Sequence, residues 1–246
     1  VIAAAIIPAR LASTRFPEKI IASSTGRPLV QHVVDRVKQC RRIDHIVVAA
    51  DHPRIADALK PFGTRVILTD PAHPSGTDRI AEASRQIDAS IIVNVQGDEP
   101  EIEPGLVDRL VDRMLHTNEP MTTAAVPFPP GEEVRDPNRV KVVIDASGCA
   151  IYFSRAPVPY DRDDQVSRGQ MPSPWLLHLG LYAYRRSFLI DYASWKPTPL
   201  ECIERLEQLR AVEHGVKIGV VIADHAAGGI DTPEQYDAFV RRFTQG

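Results

Sequence analysis

The stretch IIPARLASTRFPEK (6–19) sets an apolar run against three cations, Arg10, Arg15 and Lys19, with Ala9, Ala12, Ser13 and Thr14 between them. Cations just beyond a strand, among small and hydroxyl residues that let backbone N–H groups come close, are the parts of an anion site. Two further stretches carry related signals. HPSGTDR supplies Ser75, Gly76, Thr77 and Arg79, and VNVQGDEP supplies Gln96, Asp98 and Glu99. Guanidinium and ammonium groups suit a polyphosphate, and carboxylates suit a hard divalent cation. A single Arg or Lys at a strand end is most often a solvated loop charge, and a single Asp is often a turn or cap residue. Recurrence at successive strand ends is what points to an anion site with a metal. No GxxxxGK[ST] and no GxGxxG occurs, which removes the P-loop and the dinucleotide fingerprint. Three readings remain on these residues: a nucleotidyl-transferring enzyme, an anion-binding regulatory module, or a phosphosugar hydrolase.

To meet one ligand these stretches must share one edge of the fold. The apolar patterning predicts strands over 1–9, 44–51, 64–70, 90–100 and 121–128, the first ending at Pro8 and the fourth in acidic residues. Between them it predicts helices over 28–40, 52–63, 76–87 and 105–117. Strands alternating with helices specify an α/β fold with a mostly parallel, Rossmann-like sheet, and near-continuous apolar strands suit burial on both faces. Ligands of such sheets bind beyond the C-terminal strand ends, where the candidate residues fall. After residue 130 the pattern changes. Two strands joined at a Ser-Gly turn are expected over 139–160, a surface loop over 155–174 and a strand over 175–185. One amphipathic helix is expected over 199–215, with Leu200, Ile203, Leu206, Leu209 and Val212 inward. A strand over 217–223 and a helix capped by Thr232 and Pro233 close the chain. The expected organisation is one domain over 1–246, with an insertion over 130–215 built around the end of the sheet.

A net charge of −3 gives no global attraction to nucleic acid, so an anion site has to be local. Cys40, Cys149 and Cys202 are odd in number and lack CxxC spacing, against both a disulfide framework and a structural zinc site. The apolar run Val1 to Ile7 is too short for a signal segment or a membrane span. A reduced, soluble, cytoplasmic protein is expected, with no nucleic-acid or membrane partner.

IIPARLASTRFPEK resembles the opening signature of nucleotide-sugar-forming nucleotidyltransferases. HPSGTDRIAE, IIVNVQGDEP, AIYFSRAPVPYDRD, LLHLGLYAYRRSFL, PLECIERLEQLR and GIDTPEQY are similar, in order, to the 3-deoxy-manno-octulosonate cytidylyltransferase family. The resemblance covers the chain from Ile6 to about Phe239. It implies a glycosyltransferase-A-like fold and transfer of CMP from CTP to the anomeric hydroxyl of an eight-carbon keto-sugar acid, Kdo, with release of pyrophosphate. It also implies Mg2+ dependence, a homodimer and a role in lipopolysaccharide precursor supply. A cytidylyltransferase for another acid sugar, such as 8-amino-Kdo or a nonulosonate, and an inactive CTP-binding homologue are the alternatives.

By the same resemblance, Arg10 and Lys19 grip the CTP phosphates, with Pro8, Ala9, Ser13 and Arg15 lining the loop. Ser75, Gly76 and Thr77 belong to the cytosine-reading loop. Asp98 and Asp231 are the implied Mg2+ ligands, and Arg10, Lys19 and Asp98 the catalytic set. Arg79, Gln96, Arg155, His178, Tyr182, Tyr184, Glu207 and Gln208 are the implied sugar-acid ligands. One departure stands out: where the family commonly reads RxPGK, this chain has Glu18 in place of the glycine. A carboxylate beside Lys19 should weaken CTP binding unless it points to solvent or joins the metal site.

Overall fold

Every apolar run expected as a strand forms one, and the central strands β1 and β4 are buried on both faces. The computed structural model describes residues 1–128, 133–166, 168–226 and 228–245. β1 (Ala3–Ala9), β2 (His45–Ala50), β3 (Val66–Leu68) and β4 (Ile91–Asn94) are parallel and lie in the order β3-β2-β1-β4. Alternate β1 residues enter opposite cores: Ala3, Ala5, Ile7 and Ala9 on one face, Ala4 and Ile6 on the other. The first core is covered by α1 (Leu29–Val37), α2 (Pro53–Leu59) and α4 (Pro104–His116). The second is covered by α3 (Gly76–Ser84), α5 (Arg186–Ser194) and α7 (Gln208–Glu213). The result is a three-layer α/β/α sandwich, as the alternating pattern requires.

The chain winds outward from β1 to β3, then returns to place β4 on the other side of β1. That reversal of strand order is a switch point, and it sets the C-terminal exits of β1 and β4 side by side at one edge of the sheet.

The second half holds the main departures. β5 (Met121–Pro127) does not pair with β4. Instead β8 (Leu176–Arg185) runs antiparallel between them, and β9 (Ile218–Ile222) lies parallel to β5. β6 (Lys141–Ile144) and β7 (Ala150–Ser154) form a hairpin, and β6 also pairs with β8. The segment expected to wrap the end of the sheet therefore threads a strand through its middle; its expected start at residue 130 lies outside the described residues.

The single helix expected over 199–215 is two: α6 (Pro199–Glu204) and α7, separated by Arg205 in the left-handed region at φ 52. Tertiary bonds override the helical pattern here. Ser154 Oγ and the Arg155 N–H donate to the two carboxylate oxygens of Glu204, at 2.6 and 2.9 Å. The Arg155 guanidinium donates to the carbonyls of Glu204 (2.6 Å), Pro137 (2.7 Å) and Arg205 (3.3 Å). Ile203, expected inward, is 79% exposed as a result. α7 is tied back onto α6 by Arg210, which donates to both Glu201 carboxylate oxygens at 2.8 and 2.6 Å. The closing helix, α8 (Pro233–Gln245), packs Tyr236 and Phe239 with Ile230 on Leu29 at the start of α1.

Candidate active site

Lys19 lies in the short turn Lys19–Ile21 beyond β1, and two other loops converge on its ammonium. Nζ donates to Asp98 Oδ2 at 2.6 Å, to Asp231 Oδ1 at 3.0 Å and to the Ile230 carbonyl at 2.8 Å. Arg15 adds a second cation, its Nη2 3.1 Å from Asp231 Oδ1. Burial works against the charge on Lys19, but hydrogen bonds and attraction to Asp98 and then Asp231 outweigh it and hold its pKa above the ordinary value.

Two devices bring these groups together. At Gly97 a Cβ would stand 2.8 Å from the Pro8 carbonyl oxygen, so only glycine lets the exit of β4 lie this close to β1. Asp98 is thereby carried to Lys19. At the other end, the Ile230 N–H donates to the Asp98 carbonyl at 2.8 Å. Tyr236 of α8 accepts from the Ser24 N–H at 2.8 Å and packs on Phe16 with ring centroids 5.4 Å apart. α8 thus clamps the Asp231 loop to the loop after β1.

Arg10 is turned toward the neighbouring loop, where Nη2 donates to the His73 carbonyl at 3.2 Å. Ser75 caps α3, accepting from the Asp78 N–H at 3.1 Å, and Gly76 packs against Pro8. Pro8 therefore touches both the Ser75–Thr77 loop and the β4 exit. Asp51, the acid that closes β2, accepts from the Leu11 N–H at 2.9 Å and anchors the start of the loop that carries Ser13.

Thr77, which the resemblance assigns to the base, lies beside Tyr184 and Glu207, which it assigns to the sugar acid. Burial raises the Glu207 pKa, with Thr77 opposing the shift, and drives the phenols of Tyr184 and Tyr182 well above their ordinary range. Tyr184 is only 2% exposed and stacks on Tyr182, so it forms a floor rather than a wall. Gln208 is likewise buried.

Near Gln96 the register of β8 against β5 shifts between Thr123 and Ala124, leaving Gly180 and Leu181 in a bulge. Such irregularities re-aim backbone groups beside functional sites. Here the bulge presents the Gly180 carbonyl to Gln96 Nε2 at 3.3 Å. A cavity of about 340 Å³ opens alongside, with Glu99, His178, Gly180 and Gly229 in its wall. Burial and the neighbouring Asp98 push the Glu99 carboxyl up to about 7.

Three expected sugar ligands are engaged by the fold itself, Arg155 and Arg79 away from this cavity and His178 in its wall. Arg155 is committed to backbone carbonyls at the α6–α7 break. Arg79 is fully buried at the end of β3, where its Nη1 bonds to Thr69 Oγ1 and its field comes from Asp51, Arg10, Glu82 and Asp70. His178 Nε2 lies 3.0 Å from Thr123 Oγ1, between Phe153 and Tyr182. Burial pushes its imidazole down to about 3, so it is neutral near pH 7 and offers a carboxylate no positive charge. Gly97, Asp51 and Tyr236 are not among the site residues that the sequence singles out. Asp51 follows β2 directly, so the strand-end rule that selected Asp98 covers it too.

Asp98 and Asp231 offer hard oxygens to one point, and no group of three or more His, Cys, Asp or Glu side chains is placed to hold a metal among the described residues. Two carboxylates completed by substrate phosphate oxygens is a donor set that suits Mg2+. Cations, hydroxyls and paired carboxylates at one switch point define a site for moving a phosphorus-centred group. The family profile described as cytidylyltransferase matches residues 4–218. The chain is 48% identical over 242 residues to 3-deoxy-manno-octulosonate cytidylyltransferase of Acidithiobacillus ferrooxidans, covering 94% of this chain and 95% of that one. It is 46% identical over 244 residues to the same enzyme of Geobacter sulfurreducens, covering 97% and 98%. A solved structure of CMP:2-keto-3-deoxy-manno-octonic acid synthetase complexed with CTP superposes with a TM-score of 0.92 at 35% identity, covering 100% of this chain and 99% of that chain. The chain belongs to the cytidylyltransferase family, within its 3-deoxy-manno-octulosonate cytidylyltransferase members.

Proposed function

We propose that this protein transfers CMP from CTP to the anomeric hydroxyl of Kdo, forming CMP-Kdo and pyrophosphate, as a supply step for lipopolysaccharide synthesis. The convergence of Lys19, Asp98 and Asp231 at the switch point, in a chain 48% identical to an enzyme of that name, carries the reading. The anomeric oxygen bonds to the α-phosphorus as the bond from that phosphorus to the departing pyrophosphate breaks. Such a displacement depends on positioning and on fixed positive charge where negative charge accumulates. Arg10 and Lys19 supply that charge, Ser13 and Arg15 line the same loop, and Ser75, Gly76 and Thr77 meet the base. Asp98 and Asp231 would hold Mg2+, whose charge lowers the pKa of a nearby hydroxyl. Gln96, Glu207 and Gln208 recognise the sugar acid.

The enzyme works as a homodimer in the cytoplasm. Exposed Ile151, Tyr160 and Met171 support the first point, since all lie in the 130–215 region and invite a partner. The dependence on CTP and three free cysteines among the described residues support the second. No helix among the described residues is long and apolar enough to cross a membrane.

The deciding experiment measures pyrophosphate release with CTP and Mg2+ on protein first sized by sedimentation, comparing Kdo, 8-amino-Kdo and a sialic acid. Release with Kdo in preference to the others is expected. Release with another acid sugar alone would move the substrate assignment, absence of release would remove the reaction, and a monomer mass would remove the dimer.

A further inference from the structure

Glu18 immediately precedes Lys19 and holds a left-handed backbone, φ 55 and ψ 22, that side chains other than glycine adopt only at a cost. Its carboxylate makes a two-pronged contact with Arg54, whose Nη1 and Nη2 donate to Oε1 and Oε2 at 2.5 and 2.8 Å. Arg54 sits in the first turn of α2, just after the His52 cap, where the helix dipole disfavours a cation. Two locally unfavourable choices are thus kept for one pair. Both side chains are about half exposed, and such pairs add little to stability. The stability of the loop does not account for the pair; the direction of the carboxylate does. Glu18, Ser13, Asp51 and His52 line one hollow of about 490 Å³ beside the cation-rich loop. Without Arg54, the nearest cations along the chain for Glu18 are Lys19 and Arg15.

We propose that Arg54 is a positioning residue for the nucleotide: by gripping the Glu18 carboxylate it cancels that charge and keeps it away from the cations that meet the triphosphate. The inference rests on the reading of the Arg10–Lys19 loop as the CTP phosphate site and assigns a role outside that loop. A left-handed residue at position 18 sets the turn that delivers Lys19, and the side chain there is tolerable because α2 supplies its counter-charge.

The test is a double-mutant cycle read by calorimetric CTP affinity in the presence of Mg2+, on wild type, R54A, E18Q and R54A/E18Q. R54A should weaken CTP binding about three- to tenfold, the scale of one uncompensated charge near a polyanion at partly screened distance. R54A/E18Q should return to within about twofold of E18Q. R54K should recover part of the loss, because lysine keeps the charge without the two-pronged fit. R54A with wild-type affinity, or a double variant as weak as R54A, overturns the proposal; the latter would mean that Arg54 serves the nucleotide or the loop directly. Should R54A lower the melting temperature, R54Q makes the same comparison with a longer uncharged side chain. Wild type that binds CTP but releases no pyrophosphate would refute the proposed reaction while leaving this cycle readable. Wild type that binds no CTP refutes both.

Discussion

Lys19 donates to three acceptors from two other loops, and each is a group that a bound substrate or metal would contest. On the proposed reaction its ammonium would exchange part of this carboxylate company for phosphate oxygens, with Asp98 and Asp231 free to hold a cation. Lys19→Met removes the charge and keeps most of the side-chain volume. It is expected to lower kcat on the order of 10²-fold or more, as loss of one preorganised charged donor does. Steady-state pyrophosphate release checks this, and near-normal turnover would discard the assignment. Gly97 acts at the same scale without chemistry of its own, since its missing Cβ is what admits the Pro8 carbonyl.

Elements place the residues proposed for the sugar side of the site. Glu207 and Gln208 owe their positions to the break between α6 and α7, and the break is held by Arg155 at the end of β7. Tyr192 Oη of α5 donates to the Glu207 carbonyl at 2.6 Å and secures the other side. Arg155→Ala deletes three donors to backbone carbonyls and is expected to destabilise the fold by about 2 kcal/mol. The urea midpoint should fall with an unchanged slope, and KM for the sugar acid should rise more than KM for CTP. An equal rise in both would place Arg155 outside the support of the sugar site. Arg155 is a sugar-acid ligand only by family resemblance; the fold reveals three carbonyls already facing its nitrogens.

For the molecule as a whole, His178 links folding to pH. Folded, it is held down to about 3; unfolded, it returns to its ordinary 6.5, so folding below 6.5 expels a proton. That stabilisation is complete above pH 6.5 and is lost as pH falls toward 3. Between pH 7 and pH 4.5, wild type should lose about 2.5 kcal/mol more than His178→Gln, measured by urea unfolding at both pH values. Equal losses would show that the imidazole is solvated in the folded chain.

The sequence by itself determined the parallel strands, the helices between them, and the edge at which the chemistry gathers. Those features follow from local periodicity and from the strand-end rule, both of which act over a few residues. Arg10, Lys19 and Asp98 were legible for that reason. Asp231 was legible only through resemblance, because its contact with Lys19 spans 212 positions and no local pattern encodes it. The tertiary structure decided the rest: β8 between β4 and β5, the broken helix, the neutral His178 and the outward Glu18. Each depends on a partner distant in the chain, and a distant hydrogen bond or ion pair outweighs a helical or charge pattern worth a few tenths of a kcal/mol per residue.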